Sequence, residues 1–295
     1  MTPSRIHEAR EFLASLLDAP IRLPFDPSIL PLLFSSMSES SRSSAKDLAS
    51  MVARSQALAA RVLAVANSAC YGLLSTVTTL ERAVQVLGIL DLRALAIMFS
   101  LSEALPKTRL PENFPGRLLW EHQVRTARLG KYIAGTLKEK KTGLPDLPDP
   151  ESVYAAGLLH DLGKIILACR RPEDWNNILS LGGCNGLVAA EAEEAYWGID
   201  HSTIGGIILK IWNLPPILTD MVNWHHDALS SSGNKTAVRI LAAANLLAET
   251  PLEDGAPLPE KALRILPESE ILLPGLYAEL QAIRNAKNAE FFAGV

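Results

Sequence analysis

Residues Leu158 to Leu167 read LLHDLGKIIL, which sets His160, Asp161 and Lys164 in an otherwise apolar run. Ionisable side chains are costly to bury unless they are paired or bound to a metal, so these three require partners. The chain has six histidines, and His122, His201, His225 and His226 join His160 in the second half of the chain or at its entrance, while His7 stands apart. Imidazole nitrogens combined with a carboxylate oxygen suit a divalent transition metal such as iron, manganese, zinc or nickel. Without thiolates among the donors, a purely structural zinc is disfavoured, and a bound metal would keep open coordination positions. The alternative is a core without metal, in which His160, His225, Asn245 and Asp161 hydrogen-bond to one another as buried polar groups must.

Helical spacing decides which way these side chains face. Val153, Ala156, Gly157, His160 and Lys164 fall on one face at i, i+3, i+4, i+7 and i+11, so the imidazole and the ammonium turn toward the interior. Asp161 lies about 100° further round an ideal helix, and it joins His160 at one ion only if the chain curves there. Leu218, Met221, Val222 and His225 repeat the inward pattern after Pro215 and Pro216, which suit a first helical turn. Val238, Leu241, Ala242 and Asn245 do the same and aim a lone amide at the core. His201 follows Asp200, a natural cap, and precedes Ile204, Ile207, Ile208 and Ile211, while His122 follows Leu118, Leu119 and Trp120.

No alternating strand pattern bounded by hairpin turns occurs, so the fold class is all-α. In TLERAVQVLG, Leu80, Ala83, Val84 and Leu87 make one apolar face, Thr78 and Glu81 have capping-box spacing, and Gly88 is a stop. Upstream, two helices break near Ser55 and end around Gly72; downstream, Asp91 caps a helix to about Leu105. Asn67 caps or bonds backbone there, beside Ser68 and Tyr71. Three prolines in Pro106 to Arg117 interrupt the helices and place a subdomain boundary, dividing the chain into residues 1–112 and 113–295. Thr142 to Pro150 forms a second loop, and Asp149 to Ser152 opens the helix of His160. The serine-rich stretch Ser35 to Ser44 reads as an exposed loop with capping residues. A helical pattern around Tyr277 to Asn288 closes the domain or contacts a partner.

Length and composition bound the rest. The chain has 295 residues, 48% hydrophobic and 20% charged, enough for a large core. A net charge of −4 offers no global positive field for DNA or RNA, and the one basic run, Lys138 to Lys141, reads as a solvated helix end. Cys70, Cys169 and Cys184 form no CxxC pair. The N-terminus lacks a signal core, and no charge-free apolar run reaches the roughly 18 residues of a membrane span, so the expected location is the cytoplasm.

These residues resemble the HD superfamily of metal-dependent phosphohydrolases. More specifically, RVLAVANSACYG, TTLERAVQVLGILDLRAL, WEHQVRTA, the HDLGK motif and the stretch from Leu181 to His226 resemble the HDOD family, from about Phe25 to Glu249. The resemblance implies an HD-domain-like helical core, residues 113–295 with a C-terminal helical tail, behind an N-terminal helical lobe, residues 1–112. It also implies a metal-ligand set of His122, His160, Asp161, His201, His225 and His226, with Lys164 at a phosphate. Three departures stand out. Asn245 replaces the closing aspartate and becomes a degenerate ligand, DALSSSGNK after His226 has no GYP signature, and Ser55-Gln56 stands where Asp-Pro is usual.

By this resemblance the chain is expected to be a regulatory module of bacterial signal transduction. It would act through contacts with signalling proteins, with a metal-binding but non-catalytic HD site. The alternative is a metal-dependent phosphohydrolase acting on a nucleotide or cyclic dinucleotide.

Overall fold

A computed structural model describes residues 11–15, 44–53, 56–67, 76–88, 92, 110–184, 187–250, 257–268, 275–279 and 281. It divides into two compact units, Ile21–Pro106 with Ala286–Val295, and Met1–Pro20 with Lys107–Asn285.

In the smaller unit, helices α1 (Ala45–Val52) and α2 (Gln56–Ala66) are separated near Ser55, as the sequence predicts. Ser44 caps α1: its hydroxyl donates to Asp47 Oδ2 at 2.8 Å, and the Asp47 N–H returns to the hydroxyl. Helix α2 ends at Ala66, short of Gly72, because Asn67 turns its amide onto the backbone. It donates to the carbonyls of Leu63 and Val77 and accepts from the Val77 N–H at 2.6 Å, drawing the returning chain to the helix end. Residues 80–88 are helical and end at Gly88 with φ +77°, but the cap is Thr79, which accepts from Arg82 N–H at 3.2 Å, and not Thr78. Leu48, Val52, Val62, Ala66, Val84 and Leu87 form this unit's core. Ser68, Tyr71, Gly72 and most of the helix expected after Asp91 lie outside the described residues.

The larger unit carries the histidines. Its helices are α3 (Gly116–Glu139), α4 (Pro150–Leu159), α5 (Leu162–Arg170), α6 (Pro172–Gly182), α7 (Ala190–Trp197), α8 (His201–Ile211), α9 (Pro216–Trp224), α10 (Lys235–Glu249) and α11 (Glu260–Ile265). The long α3 packs along α4 and α10, while α8 lies against α5 and α9. The segment LGGCNGLV, which carried no strand signal, makes a small hairpin of β1 (Gly183–Cys184) and β2 (Leu187–Val188), and the architecture is otherwise all-α. Pro150–Arg170 has the length and hydropathy of a membrane span, yet most of it is buried inside the protein. It is a core element of this fold.

The two units divide at Pro106/Lys107, at the start of the proline-rich loop. Residues 11–15 belong with the larger unit: Phe12 stacks on Trp197 with ring centroids 5.0 Å apart, and Arg171 lies over the Phe12 ring. Aromatic burial outweighs chain order here.

Candidate metal centre

Every histidine expected at the site reaches one pocket, while the outlying His7 lies outside the described residues. His122 comes from α3. His160 and Asp161 occupy the break between α4 and α5, where Asp161 has left helical geometry at φ −96°, ψ 13°. That break supplies the curvature that brings Asp161 alongside His160. Asp200 caps α8 by accepting from the Thr203 N–H at 2.9 Å, which sets His201 in the first turn. His225 and His226 follow the end of α9, and Asn245 projects from the middle of α10, 3% exposed.

Three imidazoles have their outer nitrogen fixed. His160 Nδ1 lies 2.7 Å from the Gly157 carbonyl, His225 Nδ1 2.7 Å from the Val222 carbonyl, and His201 Nδ1 2.6 Å from Glu193 Oε2. Because those oxygens accept, each Nδ1 carries the hydrogen, and in the neutral ring the Nε2 lone pair faces inward. This is the orientation of a metal-ligating histidine backed by a carbonyl or carboxylate. Glu193 also accepts from the His201 backbone N–H at 2.7 Å. Sequence reasoning missed Glu193, although Ala190, Glu193 and Trp197 lie at i, i+3 and i+7 and are all buried. A carboxylate on an apolar stripe was the available signal.

The inward nitrogens crowd together. His122 Nε2 is 3.1 Å from His160 Nε2, and His226 Nε2 is 3.0 Å from His201 Nε2. Two lone pairs at such distances repel unless a proton or a cation lies between them. Asp161 links the two pairs: Oδ2 is 3.4 Å from His160 and 3.7 Å from His122, and Oδ1 is 2.9 Å from His201 and 4.0 Å from His225. Two potential metal-binding groups thus share one carboxylate, His122, His160 and Asp161 in the first and Asp161, His201, His225 and His226 in the second. Within each, the donor atoms lie within 4.8 Å of one another. Lys164 donates to Asp161 Oδ1 at 2.7 Å and stands 3.3 Å from His201 Nε2.

Electrostatics keep most of these nitrogens neutral. Burial, then the neighbouring His160, push His122 down to about 3, with Asp161 and Asn245 acting the other way. Burial likewise lowers His160, and it lowers His225 and His226 well below the usual imidazole range. Asp161 is held well below the ordinary carboxylate value because His160, Lys164 and His201 outweigh its burial. His201 is raised to about 9: burial opposes its charge, but Glu193 and then Asp161 prevail. Cys169, with its thiol pushed up to about 11 by burial, is an inert core residue.

Hydrogen bonding within the pocket leaves some of its buried donor atoms unmatched. Asp161 Oδ2, His225 Nε2 and Asn245 Oδ1 are buried and lack any hydrogen-bond partner. Such orphaned acceptors are expensive inside a protein. All three are electron-pair donors, and with the crowded imidazoles they fit a divalent transition metal of the nitrogen and oxygen preferring kind. When bound, such an ion supplies Lewis acidity to a phosphoryl oxygen or to water. The chain's own groups orient that chemistry: Gly157, Val222 and Glu193 fix the rings.

The comparisons with known proteins agree with this architecture. The HDOD domain matches residues 23–228. An HDOD domain protein of unknown function from Geobacter sulfurreducens superposes with a TM-score of 0.65 at 23% identity, covering 97% of this chain and 98% of that one. A candidate signal transduction protein from Marinobacter aquaeolei VT8 gives 0.73 at 18% identity, covering 98% of this chain and 66% of that one. A candidate phosphohydrolase from Shewanella amazonensis SB2B gives 0.63 at 22% identity, covering 98% of this chain and 97% of that one. An uncharacterized protein of Treponema pallidum (strain Nichols) is 24% identical over 213 residues, 70% of this chain; the chain spans 39% of that relative's length. With the family's match running across both units and through the HDLGK pocket, the chain belongs to the HDOD domain family.

Proposed function

We propose that this chain is a cytoplasmic regulatory module of bacterial signal transduction, acting through contacts with signalling proteins, whose HD-type pocket binds a divalent transition metal without sustained turnover. The observation that carries this reading is Asn245. It stands beside His122, buried and with its carbonyl oxygen unpartnered, where a carboxylate would close the first group of donors. A neutral amide is a weaker metal ligand than a carboxylate and leaves the pocket with one anionic donor, Asp161, whose Oδ1 already carries the Lys164 ammonium. The Marinobacter neighbour's description as a candidate signal transduction protein accords with this role.

A second reading, a metal-dependent phosphohydrolase acting on a nucleotide or cyclic dinucleotide, draws on the way Asp161 serves both groups of donors and on the candidate phosphohydrolase neighbour. In that case Lys164 contacts the phosphate. One experiment separates the two. Protein loaded with iron or manganese is offered nucleoside monophosphates, nucleoside triphosphates and cyclic dinucleotides, with His160→Ala as the control. The regulatory reading expects stoichiometric metal and no sustained hydrolysis; multiple turnovers lost in His160→Ala establish the enzyme.

A further inference from the structure

Residues 11–15 are helical and precede the family's match, which begins at residue 23, yet they pack on the larger unit. Phe12 carries the contact. Its ring lies 15° from parallel with the Trp197 indole at 5.0 Å between centroids, and the Arg171 guanidinium carbon stands 5.5 Å from its centre. Arg171 also donates to the Ser15 hydroxyl, which in turn donates to the Phe12 carbonyl at 2.8 Å. The segment is otherwise open: Glu11, Ala14 and Ser15 are exposed, and Phe12 and Leu13 are half-buried. Ring stacking and cation–π contacts are individually weak, so a segment held by them opens more readily than the helices of the core.

The surface it covers leads to His201. Trp197 ends α7 one turn beyond Glu193, and both side chains are buried on the same side of that helix. Helix α7 has eight residues and no side chain capping its start, so tertiary contacts must hold it in place. Asp174 of α6 supplies one such contact, accepting from the Tyr196 hydroxyl at 3.2 Å and from Trp197 Nε1 at 3.3 Å. Phe12 supplies another. Glu193 then accepts from the His201 backbone N–H at 2.7 Å and backs the imidazole at Nδ1. Contact therefore runs from Phe12 to Trp197, along one turn of α7 to Glu193, and into the first turn of α8.

We propose that residues 11–15 are a releasable latch whose Phe12 ring clamps α7, so that undocking the segment slackens the hold of Glu193 on His201. Coupling between separated groups requires an element with two arrangements, and here these are the docked and the undocked segment. The latch works whether or not the pocket carries an ion, because every contact in it is between protein groups.

Amide hydrogen exchange in the full chain, treated with chelator and read residue by residue, tests this. In wild type the amides of residues 12–15 are expected to exchange about tenfold or more faster than those of α4. Phe12→Ala is expected to speed exchange about tenfold from Glu193 to Gly198 and at the His201 amide, while α3 and α4 stay within about twofold. Phe12→Tyr, which keeps the ring, is expected to stay within about twofold of wild type throughout. Unchanged exchange at α7 and His201 in Phe12→Ala, or an equal rise in Phe12→Tyr, would overturn the latch. So would a rise spread evenly over the larger unit, a Phe12→Ala chain that fails to fold, or a wild-type segment protected as strongly as α4, since each would make the ring part of the core.

Discussion

Asn245 sets the balance of charge beside His122. Changing it to aspartate adds a second buried carboxylate next to Asp161, which repels it when no cation is present and binds the cation when one is. Asn245→Asp is therefore expected to tighten Mn²⁺ binding by about tenfold or more in calorimetric titration, roughly 1.4 kcal/mol, while lowering the melting temperature of the chelated protein. His201 gives a second prediction at this scale. Its folded value, raised to about 9 by Glu193 and Asp161 against burial, exceeds the ordinary 6.5. The stability it contributes to the metal-free protein is fully present below about pH 6.5 and is lost as pH rises through 9, on the order of 3 kcal/mol. Urea unfolding at pH 6 and pH 9 measures this loss, and Glu193→Gln is expected to remove most of the difference.

The helices converge because small residues let them approach. A Cβ on Gly157 of α4 would sit 2.4 Å from Ala127 Cα on α3, and one on Gly163 of α5 would sit 2.0 Å from the His201 carbonyl oxygen. Both contacts are with backbone, which cannot turn aside. Gly157→Ala and Gly163→Ala are each expected to destabilise by about 1–3 kcal/mol or more, and Gly163→Ala also to weaken metal binding by moving His201. Gly135, inside α3, meets only Pro150 Cγ at 4.0 Å, so Gly135→Ala is expected to stabilise by up to ~1 kcal/mol through helix propensity. Denaturant midpoints of the three variants check this ordering. The break between α4 and α5 works at the same scale: an unbroken helix would point Asp161 about 100° away from His160.

At the scale of the whole molecule, the larger unit gathers donors from five helices around one buried carboxylate, so an ion held there would stabilise the tertiary structure. With free ion at about a hundred times its dissociation constant, binding adds roughly 2.7 kcal/mol, and chelation is expected to lower the melting temperature by about 5 °C. An unchanged temperature in differential scanning calorimetry would mean that no ion is held. Helical periodicity and caps were enough to show in the sequence that the protein is all-α, that His160, Lys164, His225 and Asn245 face inward, and that Pro150, Asp200 and Pro216 begin helices. These are local properties, fixed by side-chain spacing and by the few residues at a helix end. The tertiary structure alone decided that Glu193 backs His201, that Asn67 ties Val77 to the end of α2, that Phe12 docks on Trp197, and that Lys164 takes one oxygen of Asp161 and leaves the other free. Periodicity tells a residue which way to face but not what it will meet, because the partner across a helix contact is set by crossing geometry that no short stretch of chain contains.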